Sequence, residues 1–67
     1  MLNIHVNGEP RQVPAGTLVA QLIADMPLAG KRYAVERNGE IVPKSRLGAV
    51  ALSDQDKVEI VIAVGGG

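Results

Sequence analysis

Two Asn-Gly pairs divide this chain into hairpins. Asn7-Gly8 and Asn38-Gly39 each supply two successive residues that tolerate positive φ, which a tight type I′ turn requires. Ahead of the first pair, Leu2, Ile4 and Val6 alternate with Asn3, His5 and Asn7, the period of a half-buried strand. A short return strand is expected from Arg11 to Val13, and Pro10 places it at an edge because proline cannot donate to a ladder. Tyr33 to Arg37 reads as the outgoing strand of the second hairpin, with Tyr33 and Val35 on one face and Glu36 on the other. Glu40 to Val42 returns and stops at Pro43.

Between the hairpins lies one helix. Pro14-Ala15-Gly16 breaks the sheet, and Thr17 is expected as the helix N-cap, its hydroxyl serving an orphan amide of the first turn. Leu18, Val19, Leu22, Ile23 and Met26 share one side of a 3.6-residue period, while Gln21 and Asp25 point away. Pro27 ends the helix. Leu28 to Arg32 is a loop, Lys44 to Ala51 is irregular, and Leu52 is expected to plug into the core. Ser53-Asp54-Gln55-Asp56 forms a polar turn before the last strand. There Val58, Ile60, Ile62 and Val64 line one face, and Lys57, Glu59, Val61 and Ala63 the other.

One amphipathic helix and one mixed sheet have one face each to offer the other. A right-handed crossover sets later strands beside the first. The last strand, the longest and most apolar, should lie at the centre, parallel to the first strand. The expected fold class is α+β: a β-grasp with a mixed sheet of four or five strands packed on one main helix. Residues 1–64 make the domain and 65–67 a flexible glycine tail. Ile60 and Leu22 are expected to face each other across the core.

The chain has 67 residues and no Cys, so neither a disulfide nor a cysteine-zinc site supports the fold. His5 alone cannot build a metal cluster and reads as a solvated strand residue. A chain this short supports only modest stability. Seven basic and seven acidic side chains cancel, and Tyr33 is the single aromatic residue. Neither a counterion-displacing basic stripe nor a stacking platform for nucleic acid is present. No apolar run reaches the length of a membrane span, and the N-terminus has no signal-peptide pattern. A soluble cytoplasmic protein is expected, with no nucleic-acid or membrane partner.

Catalytic constellations are missing. Asp54 and Asp56 are spaced to serve their turn rather than acid–base work. Lys31-Arg32 and Lys44-Ser45-Arg46 read as solvated loop charges. Gly65-Gly66-Gly67 has no helix after it to bring a dipole to a phosphate. What remains is the Gly67 carboxylate at the end of a thread without side chains, which suits a narrow channel in another protein. An α-carboxyl group ordinarily titrates at about 3.3–3.7 and is ionised at neutral pH. It is a poor electrophile but can attack the α-phosphorus of ATP, giving an activated acyl adenylate. A partner must supply both the ATP site and the nucleophile, so the expected role is substrate or carrier, not enzyme. Val61 and Ala63 make the strand face just before Gly65 and Gly66 apolar, where a solvated strand would be polar. With those glycines they are the expected partner-binding residues.

The two Asn-Gly hairpins around the helix, the string Ala34-Val35-Glu36-Arg37-Asn38-Gly39-Glu40-Ile41-Val42-Pro43-Lys44, and Val58-Glu59-Ile60 leading to terminal glycines resemble the ThiS family. These are small ubiquitin-like β-grasp sulfur carriers of bacterial thiazole synthesis for thiamine, and the resemblance covers essentially the whole chain. It implies that a ubiquitin-activating-enzyme-like partner, ThiF, adenylates Gly67 with ATP and magnesium. Sulfur from a cysteine persulfide, made by a desulfurase relay, then replaces AMP to leave a thiocarboxylate for thiazole synthase, ThiG. The chain itself binds no cofactor in this scheme. A chain without Cys has no thiol of its own to intercept the persulfide. The tail is shared with the molybdopterin carrier MoaD and with ubiquitin-like modifiers. A carrier for molybdopterin or tRNA thiolation, a modifier conjugated through Gly67 and a simple interaction module therefore stand as alternatives. Gln55 departs from the Gly that family members often carry there, and a left-handed backbone at that position would cost it about 1 kcal/mol.

Overall fold

The computed structural model describes residues 1–28 and 30–63. Strand β1 (Leu2–Val6) turns at Asn7-Gly8 into β2 (Glu9–Val13). Helix α1 (Val19–Ala24) follows, then β3 (Arg32–Arg37), β4 (Glu40–Val42), a short 3-10 turn (Lys44–Arg46) and β5 (Lys57–Ala63). The sheet order is β2-β1-β5-β3-β4, with β5 parallel to β1 and antiparallel to β3. The expected central place of the last strand and the edge place of β2 are both observed. Both turns adopt the positive φ that Asn-Gly allows, +51° and +83° at Asn7 and Gly8, +52° and +84° at Asn38 and Gly39.

The core gathers Ile4 and Val6 of β1, Val13 of β2, Val19, Leu22 and Ile23 of α1, Val35 of β3, and Val58 and Ile60 of β5. Ile60 and Leu22 therefore share one core, as their periodicities require. Leu52 is buried as expected. So are Leu28 and Leu47, which lie in segments read only as loop. Neither has a periodic neighbour to mark it, and each is recruited by the space beside a short helix.

Several boundaries differ from the sequence reading. β2 begins at Glu9 rather than Arg11 and β3 at Arg32 rather than Tyr33, because pairing with β1 and β5 extends both strands past their apolar residues. Thr17 is not the N-cap; Leu18 holds that position. The Thr17 hydroxyl instead donates to the Pro14 carbonyl at 2.7 Å. The amides at the start of the helix find partners far along the chain. Val19 N donates to Val50 O at 2.9 Å and Ala20 N to Leu47 O at 2.8 Å. Gln21, exposed as expected, turns its side-chain oxygen back to accept from Leu18 N at 2.8 Å. With its orphan donors met by the 44–51 segment, the helix has no use for a hydroxyl cap.

Candidate functional site

The glycine tail is delivered by β5, so the site begins with what holds that strand. Its register with β3 runs from Arg37↔Val58 to Arg32↔Ala63, and its start is fixed by the asparagines of both hairpins. Asn7 N donates to Val58 O at 2.9 Å, and its side-chain oxygen accepts from Ile60 N at 2.7 Å. The Asn7 side chain thus continues the parallel ladder after the β1 backbone has turned away. Asn38 Oδ1 accepts from Lys57 N at 2.9 Å, while Asn38 Nδ2 donates to Asp56 Oδ1 at 2.9 Å.

Asp56 is the hub of this anchor. Its side chain is 5% exposed, and Oδ2 accepts from Arg37 Nε at 2.7 Å and from Ser53 N at 2.8 Å. Burial pushes the Asp56 carboxyl up, but the Arg37 guanidinium together with the Ser53 and Asn38 donors holds it below the ordinary value. Asp54 caps the neighbouring strand, its Oδ1 accepting from Asn3 N at 2.7 Å. Asp56 therefore serves the turn through Ser53 N, as expected, while Asp54 ties the turn to β1. In the sequence the asparagines signal only positive φ. Their hold on β5 has no local signal, since each partner lies eighteen or more residues away.

At the other end of β5 the apolar surface is open on both faces. Val61 lies on the face away from the helix, 54% exposed, with Ala34 directly opposite on β3. Ala63 is exposed on the same face, opposite Arg32. Ile62 alternates to the helix face, beside Tyr33, and was expected to be covered there. It is 42% exposed. The reason is length: a helix of six residues extends about 9 Å at 1.5 Å per residue. A strand of seven residues extends about 23 Å. On this face Val58 and Ile60 are buried, and Ile62, nearer the end of the longer strand, is open. Lys44 Nζ sits 4.7 Å from the centre of the Tyr33 ring, so Lys44 is engaged with the ring rather than simply solvated. His5 is exposed on the outer face, opposite Pro10 and Lys57.

The structure brings Val61 and Ala63 together on one outer face. The expected site residues Gly65, Gly66 and Gly67, and the domain boundary after Val64, lie outside the described residues. Among the described residues no group of three or more His, Cys, Asp or Glu side chains is placed to hold a metal ion. Nor, among those residues, is any helix long and apolar enough to cross a membrane.

Comparison with known proteins agrees with this geometry. A thiazole synthase of Magnetococcus marinus is 41% identical over 66 residues, 98% of this chain and 20% of that protein. The chain thus spans about a fifth of that relative (20% of its length). The sulfur carrier protein ThiS of Bacillus subtilis is 47% identical over 49 residues, covering 73% of this chain and 74% of its own. Among solved structures, the thiamine biosynthesis protein ThiS from Geobacter metallireducens superposes with a TM-score of 0.82 at 32% identity. That match covers 98% of this chain and 100% of the other. The ThiS family model matches residues 4–67, from within β1 through the terminal glycines. The chain belongs to the ThiS family.

Proposed function

We propose that this chain is a sulfur carrier for thiazole formation in thiamine biosynthesis, acting as a co-substrate of other enzymes rather than as a catalyst. The observation that carries the reading is the family match over residues 4–67, which runs through the glycine tail. The anchoring of β5 by Asn7, Asn38 and β3 supports it, because a carrier needs its reactive end projected from a fixed base. The likeness to thiazole synthases favours the thiamine route over molybdopterin or tRNA thiolation and favours thiazole synthase (ThiG) as the acceptor.

The chemistry proceeds in steps that partners complete. A carboxylate oxygen of Gly67 attacks the α-phosphorus of ATP, held with magnesium by a ThiF-like enzyme; the α–β phosphoanhydride bond breaks and pyrophosphate leaves. The terminal sulfur of a cysteine persulfide then attacks the acyl carbon and AMP departs. A second thiol cleaves the resulting acyl disulfide, taking the donor cysteine into a disulfide and leaving the thiocarboxylate on Gly67. The exposed apolar face at Val61 and Ala63 docks on the adenylating enzyme, and Gly65 and Gly66 thread toward its ATP.

The test is ATP–pyrophosphate exchange with the adenylating enzyme, magnesium and ATP. The acyl oxygen must come within about 3–3.5 Å of phosphorus. Deleting Gly67 withdraws the terminus by up to about 3.6 Å and should abolish exchange without altering thermal unfolding. With a persulfide donor and a thiol added, the intact chain should gain the mass difference between sulfur and oxygen. Wild-type exchange by the truncated chain would dismiss Gly67 as the reacting group.

A further inference from the structure

The outer face of the sheet holds a charge arrangement that the fold itself does not use. Glu36 on β3 is directly opposite Glu59 on β5 and also directly opposite Ile41 on β4. The next pair along β3 and β5 on this face is Ala34 with Val61. Two carboxylates thus stand side by side across a strand pair, with Ile41, 70% exposed, on one flank and Val61, 54% exposed, on another. Directly opposed residues have Cβ atoms about 4.5–5.5 Å apart, and like charges in that position destabilise a sheet. Among the described residues the ion pairs are Arg11–Asp25 and Arg37–Asp56, and neither glutamate takes part in one. Lys57, two residues before Glu59 on the same face, makes no ion pair with it.

We propose that this face receives an arginine from the adenylating partner, its guanidinium bridging Glu36 and Glu59 while apolar side chains beside it cover Ile41, Ala34 and Val61. The proposal rests on the carrier reading and deepens it by stating what the partner must present. Charge complementarity selects the occupant. Two adjacent carboxylates present up to four oxygens to one cation, and the planar five-donor fork of arginine can bind both, where a lysine offers a single compact charge. Residues that repel one another in the free chain and attract a common cation in the complex place their binding energy where it discriminates between partners. The open apolar flanks exclude water from the pair once the partner is seated, which strengthens it.

The experiment measures pyrophosphate exchange as a function of carrier concentration for E36Q, E59Q and the double variant, at low and high salt. Each single change should raise KM about tenfold, as loss of a charge-assisted interface contact does. The double variant should be little worse than either single one, because one shared cation is lost once. kcat should hold, and the salt dependence of KM should flatten. The free variants should melt no lower than the wild-type chain. Calorimetric binding of the Gly67-deleted chain to the same enzyme reads the contact without the chemistry and should show the same tenfold loss on adding E36Q. An unchanged KM in the double variant would overturn the proposal. So would a double effect equal to the product of the single ones, since that means two separate contacts. A loss confined to kcat, lower melting of the free variants, or no binding by the intact chain would also overturn it. A wild-type dimer in sedimentation that dissolves in E36Q/E59Q would reassign the face to a second copy. Failure of the Gly67 deletion to abolish exchange, with the KM effects intact, would sink the carrier chemistry and leave this contact standing.

Discussion

Replacing Asp56 with Ala is the sharpest probe of what holds β5 in place. The carboxylate accepts from Arg37 Nε at 2.7 Å, Ser53 N at 2.8 Å and Asn38 Nδ2 at 2.9 Å. Its side chain is 5% exposed and that of Arg37 29%. Breaking a buried pair by removing one partner costs about 3–5 kcal/mol. Arg37 retains Ser53 Oγ at 3.2 Å and some access to water, which places this change at the lower end, about 3 kcal/mol. Small domains have only about 0.05–0.15 kcal/mol of stability per residue, so a 67-residue chain loses a large share of its total. Urea unfolding at neutral pH should show a lower midpoint with an unchanged slope. The sign of the pH dependence follows from the direction of the Asp56 shift. Its folded-state pKa is lowered, so its contribution is complete above the unfolded-state value of about 3.9 and disappears as pH falls through the folded-state value. The gap between wild-type and D56A chains should therefore be full at neutral pH and narrow from about pH 4 downward. An equal gap at neutral pH and at about pH 2.5 would refute the reasoning, because the ionised carboxylate would not be the group at work.

Ile60→Ala removes a side chain that is 8% exposed at the centre of the core and should cost about 2–5 kcal/mol, leaving the chain largely unfolded by circular dichroism. Gln55 has φ +69°. Gln55→Gly should relieve about 1 kcal/mol of left-handed strain and raise the melting temperature, less the entropy that glycine loses on folding. Val61→Asp changes only an exposed outer position; it should slow adenylation while leaving urea unfolding as it is, and wild-type kinetics in that variant would remove Val61 from the docking face.

Much of this protein is written in short-range pattern. The Asn-Gly pairs name their turns because few other residue pairs accept two positive φ angles in succession. Pro10 names an edge strand because it lacks a donor, and the alternation of Val58 and Ile60 names the core face because a strand repeats every second residue. The central place of β5 follows from the same information, since the most apolar strand gains most where it is covered by neighbours on both sides. The family resemblance also lies in the sequence, in the string around Asn38-Gly39 and the terminal glycines. Other features depend on groups that meet only after folding. Thr17 has the chemistry of a cap, but Val50 and Leu47 bring their carbonyls to the helix amides first. Leu47 and Leu28 are buried because a six-residue helix leaves space beside it, and Ile62 is open because the same helix is too short to reach it. Asn7 and Asn38 look alike in sequence, yet each anchors a different amide of β5. Glu36 and Glu59 stand twenty-three positions apart and become neighbours only through the β3–β5 register. Local pattern chose the elements, and the pairing of distant backbone groups chose which side chains meet.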